Sequence, residues 1–303
     1  MTGQPASRRA RSRAWAAAMV AAAVACALAG CMTRTSVGRS ASSPASTSRP
    51  AAGTLPGGKA IWLLTRFALG QLVTDPVIRA ELAGSRVYEI LQPGQQPLRG
   101  VTATPVVTFP AVAELAGALS SGGLPAGTRA VLYDPEAWAF TPADEQGDPA
   151  QAAARAAGLA HARGLQFIVA PALNLTTVLA PRSAVPRWQQ FLDLELAAKI
   201  AKVADVVDLQ AQSLERDTAT YAAFVREAAA QARTANPGVR VLAGLSTNPP
   251  GDAVDSQHLA AAIRASWPTV DGWWLNIPGR GPRCPTCNAA RPEVGIAALR
   301  SVL

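Results

Sequence analysis

The stretch VVDLQAQSLERDTATYAAFVREAAAQARTANPGVRVLAGL, Val206 to Leu245, contains the repeating unit that decides the fold. Its first residues, Val206–Gln210, and its last, Arg240–Leu245, are short apolar runs that predict two strands. The alanine-rich segment between them predicts a helix over Thr218–Ala235. Strands that are apolar on both faces are typical of a parallel sheet covered by helices. The stretch therefore predicts a strand, helix and strand of an α/β fold.

The same alternation continues in both directions from this stretch. Further strands are predicted at Ala60–Phe67, Arg86–Leu91, Thr102–Phe109, Arg129–Tyr133, Gln166–Pro171 and Gly272–Asn276. Further helices are predicted at Pro76–Ala83, Ala111–Leu119, Pro149–Arg163, Arg187–Val203 and Ser256–Ser266. Eight strands in a domain of this length favour a (β/α)8 barrel, a TIM-like barrel, over a doubly wound sheet.

One connection departs from the repeating pattern. The segment from Gln92 to Val101 is rich in Pro and Gly and too short for a helix, so we expect the barrel to lack a helix between its second and third strands. No glycine-rich phosphate loop follows the first strand, where Thr65 to Gly70 reads TRFALG. Since nucleotide sites commonly need such a loop, the sequence predicts no nucleotide, and we expect no other cofactor.

The N-terminus has the pattern of a secretory signal. Its basic residues are Arg8, Arg9, Arg11 and Arg13. An uncharged apolar run follows and ends in Leu28-Ala29-Gly30-Cys31, which resembles the lipobox of bacterial lipoproteins. The resemblance implies that residues 1–30 are removed and that Cys31 carries the lipid. It also implies an extracytoplasmic protein, lipid-anchored to the cell membrane.

Charge and composition divide the remainder of the chain. Residues 31–58 are mainly Ser, Thr, Pro, Ala and Gly, which predicts a disordered tether or an O-glycosylated stalk before one domain at residues 59–303. The formal net charge is +8. Arginines of the signal and tether, including Arg34, Arg39 and Arg49, account for most of this excess. Because no basic run with interleaved aromatic residues follows, we expect no nucleic-acid partner. The protein is expected to be monomeric.

Two acidic residues follow the fourth predicted strand, in the run Tyr133-Asp134-Pro135-Glu136-Ala137-Trp138. Asp134 and Glu136 are two residues apart, so in extended chain their side chains point to the same side. Active sites of barrels lie at the carboxyl ends of the strands, and two close carboxyls raise a pKa towards the range of a general acid. The alternative is an acidic loop in which Asp134 caps a turn and Glu136 is solvated.

Amide and tryptophan side chains follow the other strands. Amides bind hydroxyl groups as donors and acceptors, and indole rings stack on the apolar face of a sugar ring. We therefore predict a carbohydrate as the ligand. The predicted substrate contacts are Tyr133, Trp138, Asn174, Gln210, Gln212, Asn248, Trp273, Trp274 and Asn276. The other tryptophans of the predicted domain, Trp62, Trp188 and Trp267, are expected to pack in the core or against helices.

The acidic run resembles the fourth strand of the chitinase-like glycoside hydrolases, which ends D-x-x-D-x-D-x-E. Only the final D-x-E matches, as Asp134 and Glu136, because Arg129 and Leu132 stand where the first two aspartates belong. The resemblance implies that Glu136 is the general acid and that Asp134 orients an acetamido group of the substrate. It also implies a polar residue on the sixth strand, here Gln210 or Gln212.

Other chemistries have weaker support in the sequence. Glu215 could supply the second carboxylate of a retaining or inverting mechanism, although Glu215 and Asp217 are also typical of a helix N-terminus. His161 and His258 lack the spacing of metal ligands, so no metal site is predicted. Cys284 and Cys287 resemble half of a zinc site, but an oxidising compartment favours a disulfide between them.

These patterns leave three functional hypotheses open. The first is a glycoside hydrolase that acts on an envelope or environmental polysaccharide with Glu136 as general acid. The second is a catalytically silent barrel that binds carbohydrate or serves as a scaffold. The third is the substrate-binding component of an importer, which would need two lobes and a hinge.

Overall fold

The computed structural model describes residues 60–92, 94–249 and 253–303. The predicted signal, the predicted lipidation site Cys31 and the predicted tether at residues 31–58 lie outside the described residues. In the described part of the chain, no helix is long and apolar enough to cross a membrane.

Eight parallel strands close into a barrel in which each strand pairs with its neighbours in sequence and β8 pairs with β1. The predicted (β/α)8 fold is therefore confirmed. The strands are β1 (Ile61–Thr65), β2 (Arg86–Leu91), β3 (Thr104–Phe109), β4 (Ala130–Tyr133), β5 (Gln166–Val169), β6 (Val206–Leu209), β7 (Arg240–Ser246) and β8 (Gly272–Asn276).

Helices connect most of these strands. The α-helices are α1 (Arg66–Leu72), α2 (Pro76–Gly84), α3 (Val112–Ser121), α4 (Ala143–Gly147), α5 (Pro149–His161), α6 (Thr176–Leu179), α7 (Arg187–Asp193), α8 (Leu196–Ala201), α9 (Thr218–Ala235), α10 (Ser256–Ser266) and α11 (Pro292–Val302). The helix predicted over Arg187–Val203 is wrong as one element. Glu195 has a left-handed backbone with φ of 52°, which separates α7 from α8.

Alternate residues of each strand enter two different apolar clusters. Inside the barrel lie Leu63, Ile90, Leu132, Ile168 and Leu242, all nearly inaccessible to solvent. The neighbouring residues on the same strands point outwards and pack against the helices. Alanines form most of the buried face of α5, so this helix approaches the sheet closely. The interior is thus filled below the carboxyl ends of the strands, and any large cavity must lie at an end.

The connection between β2 and β3 contains no helix in its described residues, as predicted. Glu89 points from β2 towards this connection and is 1% exposed. Its two carboxylate oxygens accept hydrogen bonds from the backbone N–H of Leu98, at 2.8 and 3.1 Å. Leu98 and Val101 then cover the outer face of the barrel where a helix would otherwise pack. A buried carboxylate therefore anchors the irregular segment.

Gly272 lies where the barrel closes, paired with Ile61 of β1 and Leu242 of β7. A Cβ atom at this position would lie 1.8 Å from the carbonyl oxygen of Ile61. We expect Gly272→Ala to lower the free energy of unfolding by roughly 3 kcal/mol, because β1 and β8 must separate to admit the methyl group. Denaturant unfolding followed by circular dichroism measures the change.

Gly158→Ala is the matched control, since Gly158 lies in α5 and a Cβ atom added there would meet no atom within 4 Å apart from its chain neighbours and its own helix backbone. Alanine favours a helix over glycine, so this variant should gain roughly 0.5–1 kcal/mol. Equal stability of the two variants would contradict the role of Gly272 in closure.

Candidate active site

A cavity of about 920 Å³ lies at the carboxyl ends of the barrel strands. The extensions beyond β4, β5, β6, β7 and β8 form most of its wall. Because the interior of the barrel is filled with side chains, the floor of this cavity consists of the last inward-facing residue of each strand. These residues are the ones whose chemistry reaches a ligand.

Most of the predicted site residues lie together in this cavity. The lining includes Asp134, Glu136, Trp138, Asn174, Gln210, Gln212, Asn248, Trp274 and Asn276. They come from segments far apart in the sequence, so the barrel topology assembles them. The predicted substrate contacts Tyr133 and Trp273 do not line it.

The prediction that Tyr133 and Trp273 contact substrate is wrong in geometry, because both side chains point outwards from their strands. The hydroxyl of Tyr133 donates a 2.8 Å hydrogen bond to Glu145 in α4. The indole of Trp273 stacks on Trp267 with ring centroids 5.2 Å apart, and its Nε1 donates to Ser266 at 3.0 Å. Both are therefore packing residues between the barrel and the helices.

Asp134 and Glu136 point into the cavity from the segment that follows β4, as their spacing predicts. Gln210 donates a 2.6 Å hydrogen bond from Nε2 to Oδ1 of Asp134. Asn174 donates a 3.2 Å bond from Nδ2 to Oε2 of Glu136, and its own Oδ1 accepts the backbone N–H of Ala137 at 2.8 Å. Each carboxyl group is therefore oriented by an amide from another strand end, Glu136 from the end of β5 and Asp134 from the end of β6.

Burial changes the acidity of this pair. Desolvation, together with the neighbouring Glu136, raises the pKa of Asp134 well above its usual range. Desolvation also raises the pKa of Glu136, while the hydrogen bond from Asn174 and the charge of Arg283 act in the opposite direction. The two carboxyl groups consequently hold a proton more readily than exposed carboxyls do.

The loop after Glu136 is fixed by one hydroxyl group. Thr141 Oγ1 accepts hydrogen bonds from the backbone N–H of Glu136 at 3.2 Å and from the indole of Trp138 at 2.8 Å. It donates at 3.0 Å to the carbonyl of Pro110. Trp138 also meets Phe140 edge to face, with ring centroids 5.1 Å apart. This network places an aromatic wall beside the acidic pair.

Asp208 is an interior carboxyl that the sequence reasoning missed. It shares the inward-facing side of β6 with Val206 and Gln210, and its side chain is 0% exposed. Neither carboxyl oxygen has a hydrogen-bond partner among the described residues. Desolvation and the nearby Asp134 raise its pKa well above the usual range. The signal was available, because Asp208 lies two residues before Gln210 on the same strand.

Trp188 packs against the outer apolar cluster, as expected, but it also lines the cavity. It lies at the start of α7, next to Arg187, which lines the same cavity. Trp62 and Trp267 do pack in or against the core as expected. The position of Trp188 depends on how the segment between β5 and α7 folds, which the local pattern does not encode.

Glu215 does not face the cavity and does not cap a helix. Its carboxylate accepts the backbone N–H of Ser213 at 2.6 Å and of Ser246 at 2.9 Å, and so joins the ends of β6 and β7. Ser213 has a positive φ of 105°, so this contact holds a strained loop. The N-cap of α9 is Asp217. A partner role for Glu215 in catalysis is therefore not supported by its placement.

The remaining amides have distinct surroundings. Asn248 donates from Nδ2 to the carbonyls of Pro278 and Ala289, at 2.9 and 2.7 Å, and so braces the segment after β8. The amide of Gln212 packs over Gly244. A Cβ atom added to Gly244 would lie 2.6 Å from the amide carbon and oxygen of Gln212. Glycine at that position thus leaves room for a polar side chain in the cavity.

Cys284 and Cys287 form a disulfide, as predicted. The bond lies in the segment after β8, and Cys284 borders the cavity. In the described residues, no group of three or more His, Cys, Asp or Glu side chains is placed to hold a metal ion.

Comparison with known proteins supports the fold. No family model matches the chain, and no curated protein matches its sequence. A Bacteroides thetaiotaomicron protein assigned as an alpha-L-fucosidase aligns with a TM-score of 0.50 and 10% identity, over 82% of this chain and 96% of that one. At this identity the likeness is one of fold alone, a closed (β/α)8 barrel.

Two further solved structures align at lower scores. A chitinase from Chromobacterium violaceum gives a TM-score of 0.44 with 12% identity, over 80% of this chain and 98% of that one. A triosephosphate isomerase from Bartonella henselae gives 0.34 with 10% identity, over 72% and 92%.

Burial of Glu215 yields a prediction about pH. Desolvation raises its pKa from 4.5 to about 7. The protonated group therefore contributes stability that is complete below about pH 4.5 and is lost as the pH rises through about 7. Glu215→Gln removes this titration, so the difference in unfolding free energy between parent and variant should change by about 3 kcal/mol across that range.

Denaturant unfolding at a series of pH values measures this difference. Glu227→Gln, an exposed change on α9, serves as the control for the loss of one glutamate charge. A constant difference for Glu215→Gln would show that its carboxyl is not perturbed in the folded protein.

Proposed function

We propose that the cavity binds a carbohydrate and hydrolyses a glycosidic bond, with Glu136 as general acid. The observation that carries this proposal is the pair of buried, amide-oriented carboxyls, Asp134 and Glu136, on the floor of a large cavity with a tryptophan beside them. The glycoside-hydrolase-like barrel fold supports the same reaction class, since such barrels place their catalytic groups at this end.

Glu136 suits the role of the acid. Asn174 binds only its Oε2, so Oε1 has no hydrogen-bond partner among the described residues and is available to a substrate. Because desolvation raises its pKa, the group retains a proton closer to neutral pH than an exposed glutamate does. Transfer of that proton to the glycosidic oxygen would allow the bond to the anomeric carbon to break.

Asp134 suits the role of a positioning and charge-stabilising group. It is the other carboxyl that lines the cavity, and Gln210 fixes its Oδ1. A neighbouring acetamido oxygen of the substrate would attack the anomeric carbon as the leaving group departs, and Asp134 would orient the amide and stabilise its positive charge. Water would then open the intermediate, and its proton would return to Glu136.

Replacement of Glu136 tests this mechanism. Glu136→Gln keeps the shape and the hydrogen bond from Asn174 but removes the transferable proton. Turnover should fall by roughly 10² or more with little change in glycan affinity. Product release from a polysaccharide panel and calorimetric binding measure the two quantities on the domain from residue 59 onward.

Glu114→Gln is the control, because Glu114 is an exposed residue of α3 outside the cavity. It should leave both turnover and affinity unchanged. Full turnover in Glu136→Gln would remove the general-acid role.

A second candidate function is a silent carbohydrate-binding or scaffold barrel. Leu132 and Arg129 in place of two motif aspartates favour it. On this hypothesis the parent releases no product, and Trp274→Ala should weaken glycan binding about tenfold through lost stacking. Trp273→Ala should instead lower stability, because Trp273 is fully buried against Trp267. The importer hypothesis gains nothing from the closed barrel, which offers no hinge between two lobes.

We also propose that the protein is lipid-anchored at the outer face of the cell membrane through Cys31. The proposal is supported by the sequence Leu28-Ala29-Gly30-Cys31 after a basic and apolar signal. Cys31→Ser should leave an unprocessed precursor or a released protein, since the sulfur is the site of attachment. Membrane fractionation with intact mass measurement tests this, and a trimmed, membrane-bound variant would overturn it.

A further inference from the structure

Two arginines border the cavity that contains the acidic pair. Arg187 begins α7, on the segment that follows β5, and Arg283 lies on the segment that follows β8. Both side chains are exposed. Neither guanidinium group has a hydrogen bond or ion pair with another residue in the described part of the chain. Two guanidinium groups without a hydrogen bond or close ion pair among the described residues thus border one cavity, from segments that follow strands three positions apart in the barrel.

The backbone holds Arg283 at the tip of a tight turn. The N–H of Gly281 donates to the carbonyl of Cys284 at 3.2 Å, and the N–H of Cys284 donates back at 3.0 Å. Pro282 and Arg283 are the two residues between them, and proline is preorganised for such a turn. The disulfide to Cys287 ties the base of the turn. This arrangement limits the positions that the Arg283 backbone can take.

A second arginine of the same segment, unlike Arg283, makes a structural hydrogen bond. Arg280 donates from Nε to the carbonyl of Cys287 at 3.2 Å and so braces the segment. Arg283 makes no such hydrogen bond among the described residues, and it borders the cavity. Two tryptophans also line the cavity: Trp188 follows Arg187 in the sequence, and Trp274 belongs to β8, the strand that precedes the Arg283 segment.

We propose that the cavity selects a glycan that carries carboxylate groups, with Arg187 and Arg283 as the residues that recognise them. This inference rests on the proposed carbohydrate function and names the substrate class. Guanidinium groups bind carboxylates through two parallel hydrogen bonds. The indoles of the cavity lining can stack on sugar rings. Uronic acids and lactyl ethers of amino sugars both supply this chemistry. The acids Asp134 and Glu136 lie on the cavity floor, where they contact the scissile bond and not the carboxylates.

The competing role for Arg283 is that of a counter-ion for the floor acids, since its charge lowers the pKa of both Asp134 and Glu136. The two roles have different consequences. A counter-ion sets the pH profile of turnover but does not distinguish acidic from neutral chains. The charges that lower the pKa of the floor acids include Arg283 and not Arg187, so replacement of Arg187 separates recognition of the ligand from the counter-ion role.

The test compares Arg187→Gln, Arg283→Gln and the control Arg226→Gln, an exposed arginine of α9 outside the cavity. The acidic probes are hyaluronan oligosaccharides and peptidoglycan glycan strands freed of their stem peptides, which expose the lactyl carboxylate. The neutral probes are carboxyl-reduced hyaluronan oligosaccharides and chito-oligosaccharides. We expect the parent to prefer an acidic chain, and each cavity variant to bind it roughly tenfold more weakly. The control should match the parent, and salt should weaken only the acidic complex.

Each result decides the proposal. Preference for hyaluronan or for glycan strands identifies uronate or lactyl carboxylate as the source of the charge. If neutral chains bind as well as acidic ones and the cavity variants bind both normally, the carboxylate inference is overturned while the carbohydrate function stands. A shifted pH profile in Arg283→Gln with an unchanged acidic-to-neutral ratio assigns the counter-ion role instead. Failure of the parent to bind any chain would overturn both proposals.

Discussion

Every residue of a strand in this closed barrel must face either the filled interior or the surrounding helices, because successive side chains point to opposite sides. On β4, Leu132 belongs to the interior cluster, whereas Val131 and Tyr133 belong to the outer one. Asp134 continues the inward series and therefore enters the cavity. The same constraint brings Gln210 and Trp274 to the cavity and keeps Trp273 out of it. The composition of the candidate site thus follows from the alternation of inward-facing and outward-facing side chains along the strands.

The same alternation of side chains also explains how much of the fold and of the site could be predicted from the sequence. Apolar runs and alanine-rich segments determine the strands and most helices, because burial on both faces of the sheet requires those residue types. The acidic pair is predictable because residues two apart on a strand share a side. Tyr133 and Trp273 lie close to strand ends, which suggests a place in the site. Their positions in the alternation make them outward-facing, however, and so exclude them from it. Asp208 is hard to recognise within an apolar strand, although its side chain points to the same side of the strand as that of Gln210.

Other features depend on contacts that the local sequence does not specify. The break at Glu195 between α7 and α8 arises from a left-handed backbone at a residue with no glycine signal. Trp188 reaches the cavity only because the segment after β5 folds over it. Glu215 looked like a helix cap, yet its partners are backbone groups of two loops. For Trp188 and Glu215, tertiary structure decides the outcome against the local preference.

The buried carboxyls differ in how their desolvation is offset, and this difference separates structural acids from candidate functional ones. Glu89 and Glu215 accept backbone N–H groups and join segments of the chain. Asp208 has no such partner among the described residues and lies beneath Asp134, so the interior favours its neutral form. An apolar residue would fill the same position on β6 at lower cost in stability. Backbone hydrogen bonds thus set Glu89 and Glu215 apart from Asp134 and Asp208, which lie at and below the cavity floor without a backbone N–H donor among the described residues.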